Sequence, residues 1–243
     1  AGGPRPDRYP LAIRRWRRQI GRQNVIKLMI FDHDMTIVDS SYAIMACFNA
    51  VADAVGCPRV DHGQVMRCIA MPLPDFCAAL LGECRPEWTR MYVEKSHSLE
   101  RSLLRPFPDL APAMTALQAM GLHLAVASNR EDPRPTMEQS GTARYFERLI
   151  GGRRPDGGRR PFKPAPDMLL ELMGDFSATA SETLYVGDSD LDIRSALAAG
   201  VRGVGITRGN FTREQFENLG AWRVIDSLME LPDIVRAENE EAS

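Results

Sequence analysis

The strongest constraint on the fold is the alternation of strand-like and helix-like segments from residue 106 onward. Apolar runs of strand type, such as LHLAVAS (122–128), TLYVG (183–187) and VRGVGIT (201–207), are separated by segments with helical patterns. This order predicts a parallel sheet with helices on both faces. The apolar run Val25–Phe31 supplies the first strand, so we expect an α/β fold with a Rossmann-like sheet.

A block of helical patterns without strand signals interrupts this order after the first strand. Its first segment, YAIMACFNAVADAVG, stops at Gly56, and each of the segments that follow opens at Asp or Pro. An all-helical insertion is therefore expected. The predicted organisation is a basic N-terminal extension (1–24), an α/β core (25–39 and 106–236), a helical insertion (40–105) and an acidic tail that we expect to be solvated or disordered (237–243).

The composition is that of an ordinary globular protein, with 44% hydrophobic and 26% charged residues. The net charge of −2 is unevenly distributed, because residues 1–27 carry eight basic residues against one acid. This arm contains RRWRR (14–18), but no second aromatic and basic cluster supports nucleic-acid binding. No apolar run approaches the roughly 18 residues of a membrane span, and the arm lacks a secretory signal pattern. We expect a cytoplasmic monomer or homodimer without nucleic-acid or membrane partners.

The five cysteines all fall between residues 47 and 84. They form no C-x-x-C pair and no paired histidines accompany them, so their spacing does not match a zinc site. In a cytoplasmic protein a disulfide framework is not expected either. The sequence therefore predicts that these cysteines are small buried side chains.

Polar and charged residues collect where the predicted strands end. In open parallel sheets, ligands bind at the carboxyl ends of the strands. The residues that follow these strands, or lie in the adjoining loops, are Asp32, Asp34, Thr36, Ser128, Asn129, Lys163, Asp188 and Asp192. Carboxylates, hydroxyls and a lysine are thus expected to converge at one edge of one sheet.

Four of these residues are acids, and their charges indicate a chemistry. Carboxylates packed together repel and raise one another's pKa values. A hard divalent cation relieves that repulsion, and oxygen ligands with water suit Mg²⁺. A carboxylate that faces a phosphorus atom can attack it to form an acyl phosphate. A second carboxylate two residues away can donate and accept the proton, and Asp32 and Asp34 have this spacing.

The strand-end residues form four short motifs, which are Asp32-His33-Asp34-Met35-Thr36, Ser128-Asn129, Lys163-Pro164 and Gly187-Asp188-Ser189-x-x-Asp192. Together and in this order they resemble the motifs of the haloacid dehalogenase-like hydrolase superfamily. The resemblance covers roughly residues 25–236. The segments YFERLIGG, FKPAPDMLL and LYVGDSDLDIRSALAAGVRGVGITRGN are most similar to phosphoglycolate phosphatases. The resemblance implies that residues 40–105 are a cap domain inserted between the first and second motifs.

The resemblance also implies the catalytic and metal-binding residues. Asp32 would be the nucleophile and would contact Mg²⁺. Asp34 would act as general acid and then general base, and its backbone carbonyl would be a metal ligand. Asp188 would bind Mg²⁺ directly, and Asp192 would bind it directly or through water. Lys163 would bind both the nucleophile and the phosphoryl group and stabilise charge in the transition state.

The remaining motif residues are implied to hold the phosphate end of the substrate. Ser128 and the amide of Asn129 would bind phosphoryl oxygens together with Lys163. Thr36 would belong to the same phosphate-binding part of the site and would steady the loop that carries the two acids.

Three further positions and one loop carry separate expectations. Met35 stands where glycine is common in the family, so we expect a backbone conformation that an ordinary residue tolerates. Asp190 is expected to be a solvated charge or an acid at a helix N-terminus. His33 is expected to have a packing or hydrogen-bonding role. The cap loop near Arg67–Phe76 is expected to set substrate choice.

The predicted function is a Mg²⁺-dependent phosphatase that hydrolyses a small phosphorylated metabolite through an aspartyl phosphate. Phosphoglycolate is the reference substrate, because the core segments resemble that group of enzymes. A phosphomutase acting on a sugar phosphate shares all four motifs and is an alternative, as is a non-catalytic binding protein on the same fold. A haloacid dehalogenase is disfavoured, because those relatives lack the second acid that Asp34 supplies.

Overall fold

The structure, a computed structural model, describes residues 25–69 and 71–242 apart from the side chains of His97 and Arg101. The basic extension predicted at 1–24 lies outside these residues. The strands are β1 (Leu28–Phe31), β2 (Val38–Asp39), β3 (Arg105–Pro106), β4 (His123–Ala127), β5 (Arg148–Ile150), β6 (Thr183–Gly187), β7 (Arg202–Ile206) and β8 (Arg223–Ile225). The helices are α1 (Ser41–Val55), α2 (His62–Cys68), α3 (Leu73–Leu81), α4 (Pro86–Leu103), α5 (Leu110–Ala119), α6 (Arg134–Gln139), α7 (Asp167–Asp175), α8 (Asp190–Ala199), α9 (Arg213–Leu219) and α10 (Leu231–Ala242).

Six of the described strands form one parallel sheet in the order β5-β4-β1-β6-β7-β8. The chain runs outward from β1 through β4 to β5, and then returns to the other side of β1 with β6. Such a reversal opens a crevice at the carboxyl ends of the central strands. Phe31 pairs with Val126 on one side and Val186 on the other. The segments that follow β1, β4 and β6 therefore leave the sheet side by side, and the predicted fold class is confirmed.

Both faces of the sheet are buried, and alternate residues of β1 serve opposite faces. Met29 and Phe31 belong to the apolar cluster on one face, and Leu28 and Ile30 to the cluster on the other. All four side chains are fully buried. A continuous apolar run is typical of such a doubly covered strand. The loop that follows β1 thus starts from a firmly packed base.

Helices α1 to α4 enclose a third apolar cluster, separate from the two against the sheet. Phe48 lies between Phe76 and Tyr92 in this cluster, with ring centroids 4.8 and 4.6 Å away. The antiparallel pair β2–β3 joins the two chain segments that enter and leave this helical block. Strands of two residues leave no periodicity to detect in a sequence, so this pair was not predicted.

The tail predicted at 237–243 is helical rather than disordered as far as Ala242, and Glu240 and Glu241 are exposed in it, whereas Glu238 is buried. Helix α10 continues to Ala242, with Leu231 and Val235 buried along it. Glu238 on the same helix accepts a hydrogen bond from Arg202 Nη1 at 2.7 Å, and both side chains are buried. The acidic end of the chain thus docks through apolar contacts and a buried ion pair.

Within the described ranges, no helix combines the length and the apolar character needed to cross a membrane.

Candidate active site

A buried lysine joins two of the predicted acids at the edge of the sheet. Lys163 Nζ donates to Asp32 Oδ1 at 2.6 Å and to Asp192 Oδ1 at 2.8 Å, and its side chain is only 4% exposed. Asp32 directly follows β1, where its N–H donates to the Val186 carbonyl at 2.8 Å and extends the sheet pairing by one residue. One carboxylate after β1 and one in the first turn of α8 therefore share one ammonium group.

The position of Asp192 is fixed by the start of helix α8. Its Oδ2 accepts hydrogen bonds from the N–H and the hydroxyl of Ser189 at 3.0 and 2.5 Å, which forms a capping box. Its Oδ1 also accepts from the Tyr185 hydroxyl at 2.8 Å. A Cβ at Gly187 would lie 2.2 Å from Asp192 Cγ, so only glycine leaves room for this carboxylate. The residue serves both as a helix cap and as part of the cluster.

The loop that carries Lys163 is held by the loop that follows β4. Asn129 Oδ1 accepts from the Lys163 N–H at 2.8 Å, and Asn129 Nδ2 donates to the Lys163 carbonyl at 3.3 Å. The buried Ser128 hydroxyl accepts from the Arg130 N–H at 3.2 Å. The side chain of Asn129 therefore positions the lysine. The predicted contact with a phosphoryl oxygen concerns the backbone amide of Asn129 and not this side chain.

Asp32, Asp188 and Asp192 form a set of buried carboxylates that fits a divalent cation. One oxygen from each lies within 4.8 Å of the others. Asp188 accepts from the Thr36 hydroxyl at 3.4 Å, whereas Lys163 contacts only the other two acids. Burial, the charge of Asp192 and the charge of Asp32 raise the pKa of Asp188 well above its usual range. This shortage of positive charge is what Mg²⁺ would relieve, and the oxygen ligands match its preference.

The same lack of positive charge affects the pKa of Asp32. Burial, with smaller contributions from the charges of Asp192 and Asp34, raises its pKa to about 7 against the opposing effect of Lys163. The Lys163 ammonium lies between carboxylates, so its pKa is raised despite burial. In the absence of a metal, the cluster therefore holds a proton near neutral pH.

Asp34 lies outside this carboxylate set and is held by a different cation. Arg130 Nε and Nη2 donate to Asp34 Oδ2 and Oδ1, both at 2.7 Å. His33 Nδ1 lies 3.3 Å from Asp34 Oδ2. Burial alone would raise the pKa of Asp34, but the charges of Arg130 and His33 prevail and lower it well below the usual range. The two acids of the first motif thus have opposite electrostatic surroundings.

Arg130 also connects the sheet edge to the helical block. Its Nη1 donates to Glu100 Oε2 at 2.5 Å, and Glu100 lies on α4 with its side chain only 7% exposed. The Asn210 side chain makes a second connection by donating to the Ile69 carbonyl at 3.0 Å. Sequence reasoning missed Arg130, although it directly follows Ser128-Asn129 at a strand end. Nothing in the sequence identifies Glu100 as a site residue, because an acid on a helix is usually solvated.

The structure places the three remaining positions as follows. His33 is fully buried, and Asp190 at the start of α8 pairs with Arg194 at 3.1 Å, as expected for a helix N-terminal acid. The expectation for Met35 is wrong, because its φ is +53°, in the left-handed region that favours glycine. Its side chain is buried in the apolar cluster of the helical block.

The raised pKa of Asp32 predicts a pH-dependent stability in the absence of metal. Folded Asp32 keeps its proton up to about pH 7, whereas the unfolded residue ionises near 3.8. Between these values the folded state binds more protons, so this contribution to the free energy of unfolding falls by up to about 1.4 kcal/mol per pH unit as pH rises. Urea unfolding of the wild type and of Asp32→Asn in EDTA would measure it. A stability difference between the two proteins that does not change with pH would contradict the assignment.

Comparison with known proteins places this geometry in a family. The family model described as haloacid dehalogenase-like hydrolase matches residues 29–206. A phosphoglycolate phosphatase from Vibrio parahaemolyticus is 29% identical over 230 residues, covering 88% of this chain and 97% of that protein. Another from Shigella dysenteriae is 33% identical over 219 residues, covering 76% and 82%. A solved structure of a protein from Bacteroides fragilis, described as a haloacid dehalogenase-like hydrolase, shares 27% identity over 85% of this chain and 99% of its own, with a TM-score of 0.74.

The chain belongs to the haloacid dehalogenase-like hydrolase family, because the matched segment spans most of its length. The predicted family, and the predicted similarity to phosphoglycolate phosphatases, are confirmed. The matched segment includes every predicted site residue, from Asp32 to Asp192.

Proposed function

We propose that the chain is a Mg²⁺-dependent phosphatase that hydrolyses a small phosphate monoester of the phosphoglycolate type through an aspartyl phosphate on Asp32. The observation that carries this proposal is the placement of Asp32, whose Oδ1 lies 2.6 Å from the buried Lys163 ammonium beside Asp188 and Asp192. The enzyme class is that of the phosphoric monoester hydrolases, as predicted. The similarity to phosphoglycolate phosphatases supports the choice of reference substrate.

Asp32 is the proposed nucleophile because its two oxygens have different surroundings. Oδ1 is held by Lys163, whereas Oδ2 accepts no hydrogen bond from the described residues. In the proposed first step Oδ2 attacks phosphorus, and the bond between phosphorus and the alcohol oxygen breaks. Lys163 Nζ, next to the reacting carboxylate, stabilises negative charge on the phosphoryl oxygens.

Asp32, Asp188 and Asp192 would hold Mg²⁺, together with the backbone carbonyl of Asp34. The ion would supply electrostatic stabilisation of the phosphoryl oxygens when bound. Both oxygens of Asp192 already accept two hydrogen bonds each. This occupancy favours contact through water for Asp192 and direct contact for the other two carboxylates.

Asp34 is the proposed proton carrier. Because Arg130 keeps Asp34 ionised in the free site, Asp34 first takes the proton of the phosphate monoanion of the bound ester and passes it to the alcohol oxygen as that oxygen leaves phosphorus. It then takes a proton from the water that attacks the acyl phosphate, so that phosphate departs and the Asp32 carboxylate is restored. Ser128 Oγ and the backbone amide of Asn129 are proposed to hold phosphoryl oxygens during both steps, and Thr36 steadies the loop through its bond to Asp188.

Phosphate release from a panel of esters tests this proposal. Purified protein with Mg²⁺ should release phosphate from p-nitrophenyl phosphate and from 2-phosphoglycolate. EDTA should reduce the rate by at least about 100-fold because charge stabilisation is lost, and added Mg²⁺ should restore it. A protein that hydrolyses no ester of the panel would exclude the phosphatase. Conversion of a sugar phosphate to its isomer without phosphate release would establish the phosphomutase instead.

A further inference from the structure

Arg130 contacts the acid that would meet the alcohol part of a substrate. This inference rests on the proposed function, in which Asp34 protonates the alcohol oxygen. Arg130 contacts both oxygens of Asp34 at 2.7 Å, so its guanidinium group lies within one hydrogen bond of that transfer. The Arg130 side chain is 20% exposed, whereas Glu100 behind it is 7% exposed. The arginine is therefore partly accessible to a ligand, whereas its partner on α4 is not.

The bidentate contact between the guanidinium fork of Arg130 and the Asp34 carboxylate must break before Asp34 can transfer a proton to the substrate. Both carboxylate oxygens of Asp34 are occupied by N–H groups of the guanidinium. For one of them to reach the alcohol oxygen, it must leave its N–H donor. A buried N–H without an acceptor is unfavourable. Glu100 accepts from Nη1 only, so a new acceptor is needed on the substrate side.

We propose that Arg130 selects phosphate monoesters whose alcohol carries a carboxylate next to the ester carbon. A carboxylate there would accept from both Nε and Nη2 in place of the two Asp34 oxygens, and planar bidentate pairing is the contact that arginine makes best. The substrate itself thereby frees Asp34 for the alcohol oxygen. Esters without this carboxylate leave Asp34 engaged by Arg130 and react slowly. Arg130 is thus a specificity-determining residue contributed by the loop after β4.

A pair of matched esters tests the proposal. The alcohol part of 2-phosphoglycolate ends in a carboxylate, whereas that of 2-hydroxyethyl phosphate ends in a neutral hydroxyl of similar size. The wild type should prefer the first in kcat/KM by about 100-fold or more, since a site built to pair a charged group discriminates strongly against its absence. In Arg130→Gln the ratio should fall below about 10, and Arg130→Lys should give an intermediate ratio because the charge stays but the fork is lost.

Two further variants make the result interpretable. Arg134→Gln is a matched control on a neighbouring exposed arginine that pairs with Asp132, and it should keep the wild-type ratio. If Arg130→Gln does not fold, because Glu100 is left unpaired, Arg130→Gln/Glu100→Gln removes both charges and carries the same expectation.

The outcomes separate this inference from the proposed function. A wild type that hydrolyses both esters equally well overturns the selection by Arg130 and leaves the phosphatase intact. A preference that persists in the Arg130 variants overturns it too. A wild type that releases phosphate from neither ester, nor from p-nitrophenyl phosphate, refutes the proposed function itself.

Discussion

Asp32→Asn is expected to lower phosphate release by at least about 10⁴-fold, because an amide cannot form the acyl phosphate. The substitution is nearly isosteric, and Lys163 retains its hydrogen bond to Asp192 at 2.8 Å. Without metal the pKa of Asp32 is raised to about 7, so ionising this residue near pH 7 costs the folded protein more than the unfolded chain. We therefore expect this variant, in EDTA, to be at least as stable as the wild type near pH 7. Steady-state phosphate release and urea unfolding of the same preparation measure both effects.

Asp190→Asn provides the matched control for this prediction. Asp190 lies two residues from Asp188 in sequence, yet it is partly exposed and pairs with Arg194 on the surface of α8. Its neutralisation should leave kcat/KM within about threefold of the wild type, as is usual for a surface ion pair. An Asp32→Asn protein that folds and keeps a tenth of the activity would rule out Asp32 as the nucleophile.

Lys163→Met is expected to have the second largest effect, on both activity and stability. Loss of the ammonium leaves Asp32 and Asp192 without their shared cation in a site that is almost fully buried. Removing one partner of a buried pair costs about 3–5 kcal/mol, and losing one such donor lowers kcat by about 10²–10³-fold. The stabilisation by Lys163 is present below its unfolded pKa of 10.5, hence at neutral pH. Acidification should reduce the deficit, because protonated carboxylates no longer need a cation.

The chain offers Lys27→Met as a comparison. Lys27 also pairs with a carboxylate, that of Glu182, but its side chain is 57% exposed. Its loss should cost at most about 1 kcal/mol and should not change phosphate release. Urea unfolding in EDTA, followed by addition of Mg²⁺, measures the contrast between the two lysines. Equal stability losses in the two variants would refute the assigned role of Lys163.

The parts of the site that could be predicted are those carried by strand ends. The apolar run that ends at Asp32, and the similar run before Asp188, fix where these acids leave the sheet, since parallel strands end at one edge. Lys163 could be placed near them only by its motif, because it lies in a loop without a regular pattern. The helical block was also predicted from local patterns, because its segments have helical periodicity and no strand signals.

The parts that could not be predicted depend on tertiary contacts. Glu100 and Tyr185 have ordinary positions in a helix and a strand, and only the packed structure shows that they reach Arg130 and Asp192. The C-terminal acids suggested a solvated tail, yet Glu238 pairs with Arg202 from β7. Met35 adopts a positive φ that its residue type disfavours, and its side chain is buried in the apolar cluster of the helical block. Local sequence does not encode such pairings.

The most direct test of the account is the covalent state of Asp32 during turnover. Asp34→Asn should accumulate the acyl phosphate, because no base remains to activate the attacking water. The variant is mixed with p-nitrophenyl phosphate and Mg²⁺, quenched rapidly in acid and mapped by peptide mass spectrometry. We predict one added phosphoryl group on the peptide that contains Asp32, and none on the same peptide from the Asp32→Asn/Asp34→Asn double variant. A phosphoryl group on another residue, or turnover by the wild type without any phosphorylated peptide in either protein, would contradict the central claim.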